Sequence, residues 1–373
     1  MILRGHFKMK VRYSYLPQQF SNCEDLWDKL KKFVATGDFT LGKELEIFEK
    51  DFANLIGTKY AIGVNSGTDA IKLSLKALGL IPGDKVITSA NTFVATVGAI
   101  NEIGCEPIFT EVDDTFCIDI NKLHDINLDG VKAIVPVHFS GYVTRMDEII
   151  NFANKHNLVV IEDACQSILG EYKQRKAGTW GITGCFSLHP LKNINVWSDG
   201  GVITTNDNKI FEKLKLLRNH GLSDRDHVDI LGFNSRLDTF QSIVGSWLLP
   251  QAKDIANKRI ENANYLDNLL SSINEIQIPK RISEIKTVYH LYMVFAEKRD
   301  ELLKYCTENS IEAKVHYPIP MYRQKAVSHL NYKKGDFPIT DFHADNLISF
   351  PIDQHITKEE LDFIYETVKS FYG

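Results

Sequence analysis

From Tyr60 onward the chain alternates short apolar runs with amphipathic segments, and this rhythm constrains its fold more than any other feature. The apolar runs are Ala61–Val64, Lys85–Ser89, Pro107–Thr110, Ala133–Val137, Leu158–Glu162, Cys185–Leu188 and Val202–Thr205. Each has the length and the apolar character of a strand buried on both faces. Between them, helices are expected at Thr68–Leu78, Phe93–Ile103, Met146–His156 and Asp207–Arg218, with Ile71, Leu75 and Leu78 at helical spacing in the first. Strands alternating with helices imply a mostly parallel seven-stranded sheet between helices, an α/β architecture. A long helical stretch from Asp238 to about Leu270 then breaks the rhythm, and a strand at His290–Ala296, helices and a turn-rich segment follow it. The expected division is a large domain over residues 1–250 and a smaller α+β domain over 251–373. Helices near Cys23–Thr36 and Gly42–Leu55 lead into the large domain.

Charge and cysteine usage narrow the function classes. Lys plus Arg number 43 against 48 Asp plus Glu, a net charge of −5, so the basic excess of a nucleic-acid protein is missing. The basic runs Lys29-Lys31-Lys32 and Lys213-Lys215 fall in helical patterns and read as solvated faces. None of the six cysteines forms a C-x-x-C pair, so no metal site and no redox motif is expected, and scattered single thiols suit a reducing cytoplasm. Met1–Tyr15 carries no apolar h-region, and no run reaches the roughly 20 apolar residues of a membrane span. The stretch before Met9 is open between a leader and an alternative start.

Three junctions carry the chemistry. Val159-Val160-Ile161-Glu162-Asp163 is an apolar run ending in carboxylates. In open α/β sheets ligands sit beyond the carboxyl ends of strands. Asp163 is therefore placed to face a ligand, while alternation points Glu162 the other way. A helix N-cap is the competing reading of Asp163. Asn65-Ser66-Gly67-Thr68-Asp69-Ala70 leaves a strand and opens a helix, where free N–H groups and the helix dipole suit a phosphate. A plain capped turn is an equal reading of that junction. Lys192 lies in a Pro-containing loop, Phe186-Ser187-Leu188-His189-Pro190-Leu191-Lys192-Asn193, that closes on Ser198-Asp199-Gly200-Gly201. A lysine held there is a nucleophile if burial lowers its pKa, and a surface charge otherwise. An amine, a strand-end acid and a phosphate cup are what pyridoxal phosphate asks of a protein.

These motifs occur in one order together with Ala90-Asn91-Thr92-Phe93-Val94-Ala95-Thr96, Glu162-Asp163-Ala164-Cys165-Gln166-Ser167, Arg218-Asn219-His220-Gly221 and Gly232-Phe233-Asn234-Ser235-Arg236. The chain so resembles the DegT/DnrJ/EryC1/StrS sugar aminotransferases, of the fold-type I pyridoxal-phosphate superfamily, from Gly37 to its C-terminus. The resemblance implies that Lys192 is the Schiff-base lysine and that Asp163 pairs the pyridine nitrogen. It implies Gln166 near the ring hydroxyl, Gly67, Thr68 and Ser187 on the phosphate, and Phe93 stacked on the ring. It also implies a homodimer with shared sites, in which Asn234 reaches the neighbouring subunit's phosphate. The implied reaction moves an amino group, usually from glutamate, to a nucleotide-linked or phosphorylated keto-sugar, with pyridoxamine phosphate between its halves. Two departures from the family pattern stand beside the lysine, His189-Pro190 and Trp197-Ser198-Asp199. His189, Trp197, His316, Tyr317 and Tyr322 are the candidate substrate residues, the last three from Lys314-Val315-His316-Tyr317-Pro318-Ile319-Pro320-Met321-Tyr322-Arg323. A proline-ordered turn with its histidine satisfied locally is the other reading of that run. Sugar dehydratases of this type carry histidine in place of the lysine, and a non-catalytic regulator of the same fold would show a degenerate site. Neither feature is present at Lys192.

Overall fold

Side-chain alternation decides how the strands are covered. In the strand Tyr60–Val64, Ala61 packs into one buried cluster while Ile62 and Val64 pack into another. In Val159–Asp163, Val160 and Ile161 divide between the same two clusters. A strand whose two faces are both buried reads as a continuous apolar run, which is the pattern seen in the sequence. The computed structural model describes residues 9–373, so the stretch before Met9 lies outside the described residues.

The central sheet has seven strands, in the order Tyr60–Val64, Gly201–Thr205, Thr183–Ser187, Val159–Asp163, Val131–Val135, Lys85–Ser89, Glu106–Thr110. All neighbours pair in parallel except Gly201–Thr205, which runs antiparallel to both of its neighbours. Six carboxyl ends therefore share one edge with the amino end of the seventh strand. Residues 65–68, 90–96, 163–167 and 187–201 meet along that edge although more than a hundred residues separate the first of these segments from the last.

Two expectations shift. The expected run Ala133–Val137 is instead the strand Val131–Val135. Pro136 follows it and lacks the N–H that would continue the ladder. The expected single helix from Asp238 divides into Thr239–Leu248 and Ala252–Leu270, joined by the 3-10 turn Leu249–Gln251, because Pro250 breaks the i→i−4 ladder. The apolar face of Thr239–Leu248 is ordinary core: Ile243, Val244 and Leu248 are buried, and a Cβ at Gly245 would lie 2.5 Å from the Phe48 ring. Its partly buried Trp247 donates to Asp25 at 3.0 Å.

We propose two lobes that divide near residue 250. The C-terminal lobe holds a three-stranded antiparallel sheet of Ile276–Gln277, Tyr292–Ala296 and Leu347–Phe350, against which Ala252–Leu270 and Lys358–Tyr372 pack. Residues 11–15 depart from the expected lead-in to the large domain. Val11 bridges Ile311 in parallel, and the Tyr15 hydroxyl donates to Glu360 at 2.6 Å, so both belong to the C-terminal lobe's buried cluster. The lead-in begins with Glu24–Val34 and Lys43–Ile56, whose apolar sides join the large cluster. Among the described residues no helix is long and apolar enough to cross a membrane.

Candidate active site

The shared strand edge, the C-terminal lobe and the N-terminal segment enclose a cavity of about 330 Å³. Its base is the start of the helix Gly67–Ala77. Ser66 caps that helix by accepting from the Asp69 N–H at 3.1 Å, a contact worth about 1 kcal/mol. Gly67 permits a close approach here, since a Cβ would come within 2.8 Å of both the Cys165 Sγ and the Ser187 Cβ. Ser66, Gly67, Thr68 and Ser187 thus form a tight polar cup at a positive helix end, which fits a phosphate group.

Asp163 closes its strand facing the cavity and is 5% exposed. Its Oδ2 accepts from the Thr96 hydroxyl at 2.7 Å and its Oδ1 from the Cys165 N–H at 3.2 Å. Turns rather than a helix follow, so the N-cap reading of Asp163 falls. Glu162 points to the opposite face, fully buried. It accepts the N–H groups of Gly178, Trp180 and Gly181 at 2.8, 2.6 and 2.7 Å and meets His138 Nε2 at 2.9 Å. The two adjacent carboxylates have therefore separated into one that faces the cavity and one that ties loops together.

The lysine loop is pinned along its length. Leu188 N–H donates to Gly200 O at 2.8 Å, and the amides of Asn195 and Asn193 donate to Lys192 O and Val288 O at 3.0 and 2.9 Å. Lys192 is partly buried in the cavity wall. Burial pulls its pKa below the ordinary lysine value, against the opposing pull of the neighbouring Cys165 and Asp163. That shift raises the fraction of free amine available for attack on an aldehyde. Burial holds the Cys165 thiol well above its usual pKa, so it lines the cavity as a neutral group, and Cys185 is a buried core residue beside Ser74.

Gln166 accepts the Ser140 N–H through Oε1 at 2.6 Å and meets the Tyr317 hydroxyl. Phe93 is half exposed on the cavity wall, its ring 6.0 Å from that of Tyr317. His189, His316 and Tyr317 line the same space, and His316 Nδ1 meets Ser349 Oγ at 2.9 Å. Burial lowers the pKa of both histidines, that of His316 to about 4, so each is a neutral imidazole at neutral pH.

Three expected site residues lie elsewhere in the chain. Tyr322 is 2% exposed, donates to Asp341 at 2.6 Å and packs edge-on to Phe337, so its burial removes it from substrate contact. Trp197 turns away from the cavity and packs among Phe20, Trp27 and Phe240, with its backbone N–H donating to Gln241 Oε1 at 2.8 Å. Asn234 lies in a separate polar hollow with Thr40, Asn65 and Arg236. Sequence reasoning missed Thr96, Tyr13, Arg259, His290 and Lys314, all of which line the cavity. Thr96 and Lys314 had a signal, their places in the Ala90–Thr96 and Lys314–Arg323 runs.

The amine, acid and phosphate cup thus meet in one cavity, as pyridoxal phosphate requires. Comparison with known proteins agrees. The DegT/DnrJ/EryC1/StrS aminotransferase family model matches residues 22–369. A pleiotropic regulatory protein of Geobacillus stearothermophilus is 34% identical over 98% of this chain and 99% of its own. A dTDP-3-amino-3,6-dideoxy-α-D-galactopyranose transaminase of Aneurinibacillus thermoaerophilus is 34% identical over 93% of this chain and 95% of its own. The solved structure of S. venezuelae DesV in complex with a ketimine intermediate superposes with a TM-score of 0.94 at 30% identity, covering 97% of this chain and 98% of that one. With nearly all of its length matched, this chain is a pyridoxal-phosphate-dependent aminotransferase and belongs to the DegT/DnrJ/EryC1/StrS aminotransferase family.

Proposed function

We propose that the enzyme moves an amino group from glutamate to a keto-sugar carrying a nucleotide or phosphate, in the cytoplasm. The observation that carries this reading is that Lys192 and Asp163 face one cavity above the helix start at Gly67. The transaminase name of the Aneurinibacillus relative supports the sugar. When bound, the cofactor carries the amino group and withdraws electrons from the reacting carbon. Lys192 would hold the cofactor covalently, and its free amine would serve as general base and then acid for a proton at the donor's Cα. Asp163, fixed by Thr96, keeps the opposing ring nitrogen protonated because an opposite charge favours the charged form. Gly67, Thr68 and Ser187 would hold the phosphate, and Phe93 and Gln166 would hold the ring. His189, His316 and Tyr317 contact the sugar.

Holoenzyme given glutamate and a nucleotide-linked keto-sugar is expected to yield an amino-sugar and 2-oxoglutarate by mass spectrometry. A product that has lost only water would replace this reading with a dehydratase.

The active enzyme in this reading is a homodimer. Asn234 stands apart from its own chain's cavity, and the loop before it leaves Leu231 91% exposed. A two-fold axis would carry that loop to the neighbour's site and the neighbour's loop back. Mixed and re-associated Lys192→Ala and Asn234→Ala chains should then form hybrids with one doubly damaged and one intact site. At cofactor concentrations too low to load Asn234→Ala alone, activity should recover toward about a quarter of wild type, since half the dimers are hybrids with one good site each. A fully active, cofactor-loaded monomer by light scattering would refute the shared site.

A further inference from the structure

The cavity wall opposite the phosphate cup is built from the C-terminal lobe and the N-terminal segment, and its cations differ in how they are held. Arg259 is buried and fully engaged. Its Nε donates to Gln354 Oε1 at 2.9 Å, its Nη1 to Tyr289 O at 3.2 Å and its Nη2 to Asp353 Oδ2 at 3.1 Å. Lys314 is different. Its backbone is fixed by reciprocal bonds with Ser349 at 2.9 and 2.7 Å, and its Nζ lies 4.3 Å above the Tyr13 ring. Among the described residues it forms no salt bridge. Glu312, the acid that senses it, already accepts from the Tyr13 N–H at 2.9 Å and pairs Lys10 at 3.0 Å. Asp199, a carboxylate that does line the cavity, acts on His189.

Two further features mark the same wall as a place for a polar ligand. His290 lines the cavity, and its Nδ1 is buried without a hydrogen-bond partner among the described residues. His316 lines the same cavity as Lys314 and Lys192, so one space is bounded by the free ammonium, the imidazole and the reacting amine. A ligand in this cavity can meet a Lys314 ammonium that no salt bridge occupies among the described residues.

We propose that Lys314 is a specificity-determining residue that recognises a negatively charged substituent, a carboxylate or phosphate, on one of the two substrates. This placement rests on the transaminase reading, in which both substrates enter this cavity. The charge has two sources: the distal carboxylate of a dicarboxylic amino donor, or an acidic group on the sugar. A lysine ammonium held by cation–π contact suits either, because it is a flexible point charge rather than a bidentate fork.

The test compares holoenzyme of wild type, Lys314→Met and Lys314→Arg by calorimetric titration with non-reacting probes. Glutarate against glutaramate reports the donor arm, and glucose 6-phosphate against glucose the sugar arm. Wild type should bind at least one of these anions about tenfold or more tightly than the counterpart that lacks the charged group in question. Lys314→Met should erase that preference and Lys314→Arg should keep much of it. Loss of the glutarate preference assigns the charge to the donor, and loss of the glucose 6-phosphate preference assigns it to the sugar. No anion preference in wild type, or one unchanged in Lys314→Met, would overturn the proposal. A parallel single-turnover measurement with L-glutamate, read from the cofactor's absorbance, keeps the two readings apart. If no amino donor reacts while the anion preference depends on Lys314, the transaminase reading fails and the anion site stands.

Discussion

Replacing Lys192 with alanine is expected to lower turnover by at least about a thousandfold while leaving the fold intact. Moving a proton in the transition state contributes about 10²- to 10⁴-fold by itself, and this residue also supplies the covalent attachment to the cofactor. The fold should survive because the loop is held by backbone and asparagine contacts: Lys192 N–H to His189 O at 2.8 Å, Lys192 O to Asn195 at 3.0 Å, and Leu188 to Gly200. None of these uses the side chain. Lys192→Arg should fail equally, because a guanidinium stays protonated and cannot act as nucleophile or base. Steady-state assays and the visible absorption of cofactor-incubated protein check both variants, with circular dichroism as the control for folding. Small added amines should restore part of the proton transfer in Lys192→Ala. Full turnover in either variant would remove Lys192 from the reaction.

How far the site could be read before the fold was known depended on whether a residue's neighbours in sequence are also its neighbours in space. Strand-edge junctions satisfy this condition. Alternation in Val159–Asp163 separates Glu162 from Asp163 without further information, and in the fold they lie on opposite faces. Loops do not satisfy it. Trp197 is five residues from Lys192, yet the chain turns between them and the indole joins an aromatic cluster with Phe20 and Trp27. The run from Lys314 to Arg323 has no period to say which side chains face inward. Within it His316 and Tyr317 line the cavity while Tyr322 is sealed against Phe337 and Asp341. Arg259 reads in sequence as one more polar residue of a long helix, and only the pairing with Asp353, distant in the chain, shows it buried. The N-terminal segment is the extreme case. Tyr13 reaches the cavity because Val11 bridges Ile311, a contact between residues three hundred apart that no local pattern encodes.

The same separation of carboxylates makes the second large effect diagnostic. Asp163→Asn keeps the size of the side chain and an oxygen able to accept from Thr96 Oγ1, but removes the charge that faces the cavity. Breaking a buried charge pair by removing one partner costs about 3–5 kcal/mol. Turnover should therefore fall on the order of 10²- to 10⁴-fold, and the ring nitrogen of the bound cofactor should lose its proton more readily. Asp163→Glu keeps the charge but is longer by one methylene in a site that is 5% exposed, and should recover only part of the loss. The neighbouring Glu162→Gln is the control. That carboxylate holds the N–H groups of Gly178, Trp180 and Gly181, and it touches no cavity atom. Its loss should destabilise the protein by about 1–3 kcal/mol, the cost of leaving buried polar groups poorly paired, while kcat stays within a few-fold of wild type. Thermal unfolding and steady-state kinetics on both variants separate the two roles. A kinetic defect in Glu162→Gln equal to that of Asp163→Asn would mean that the strand-end position, rather than the charge facing the ring, is what the reaction requires.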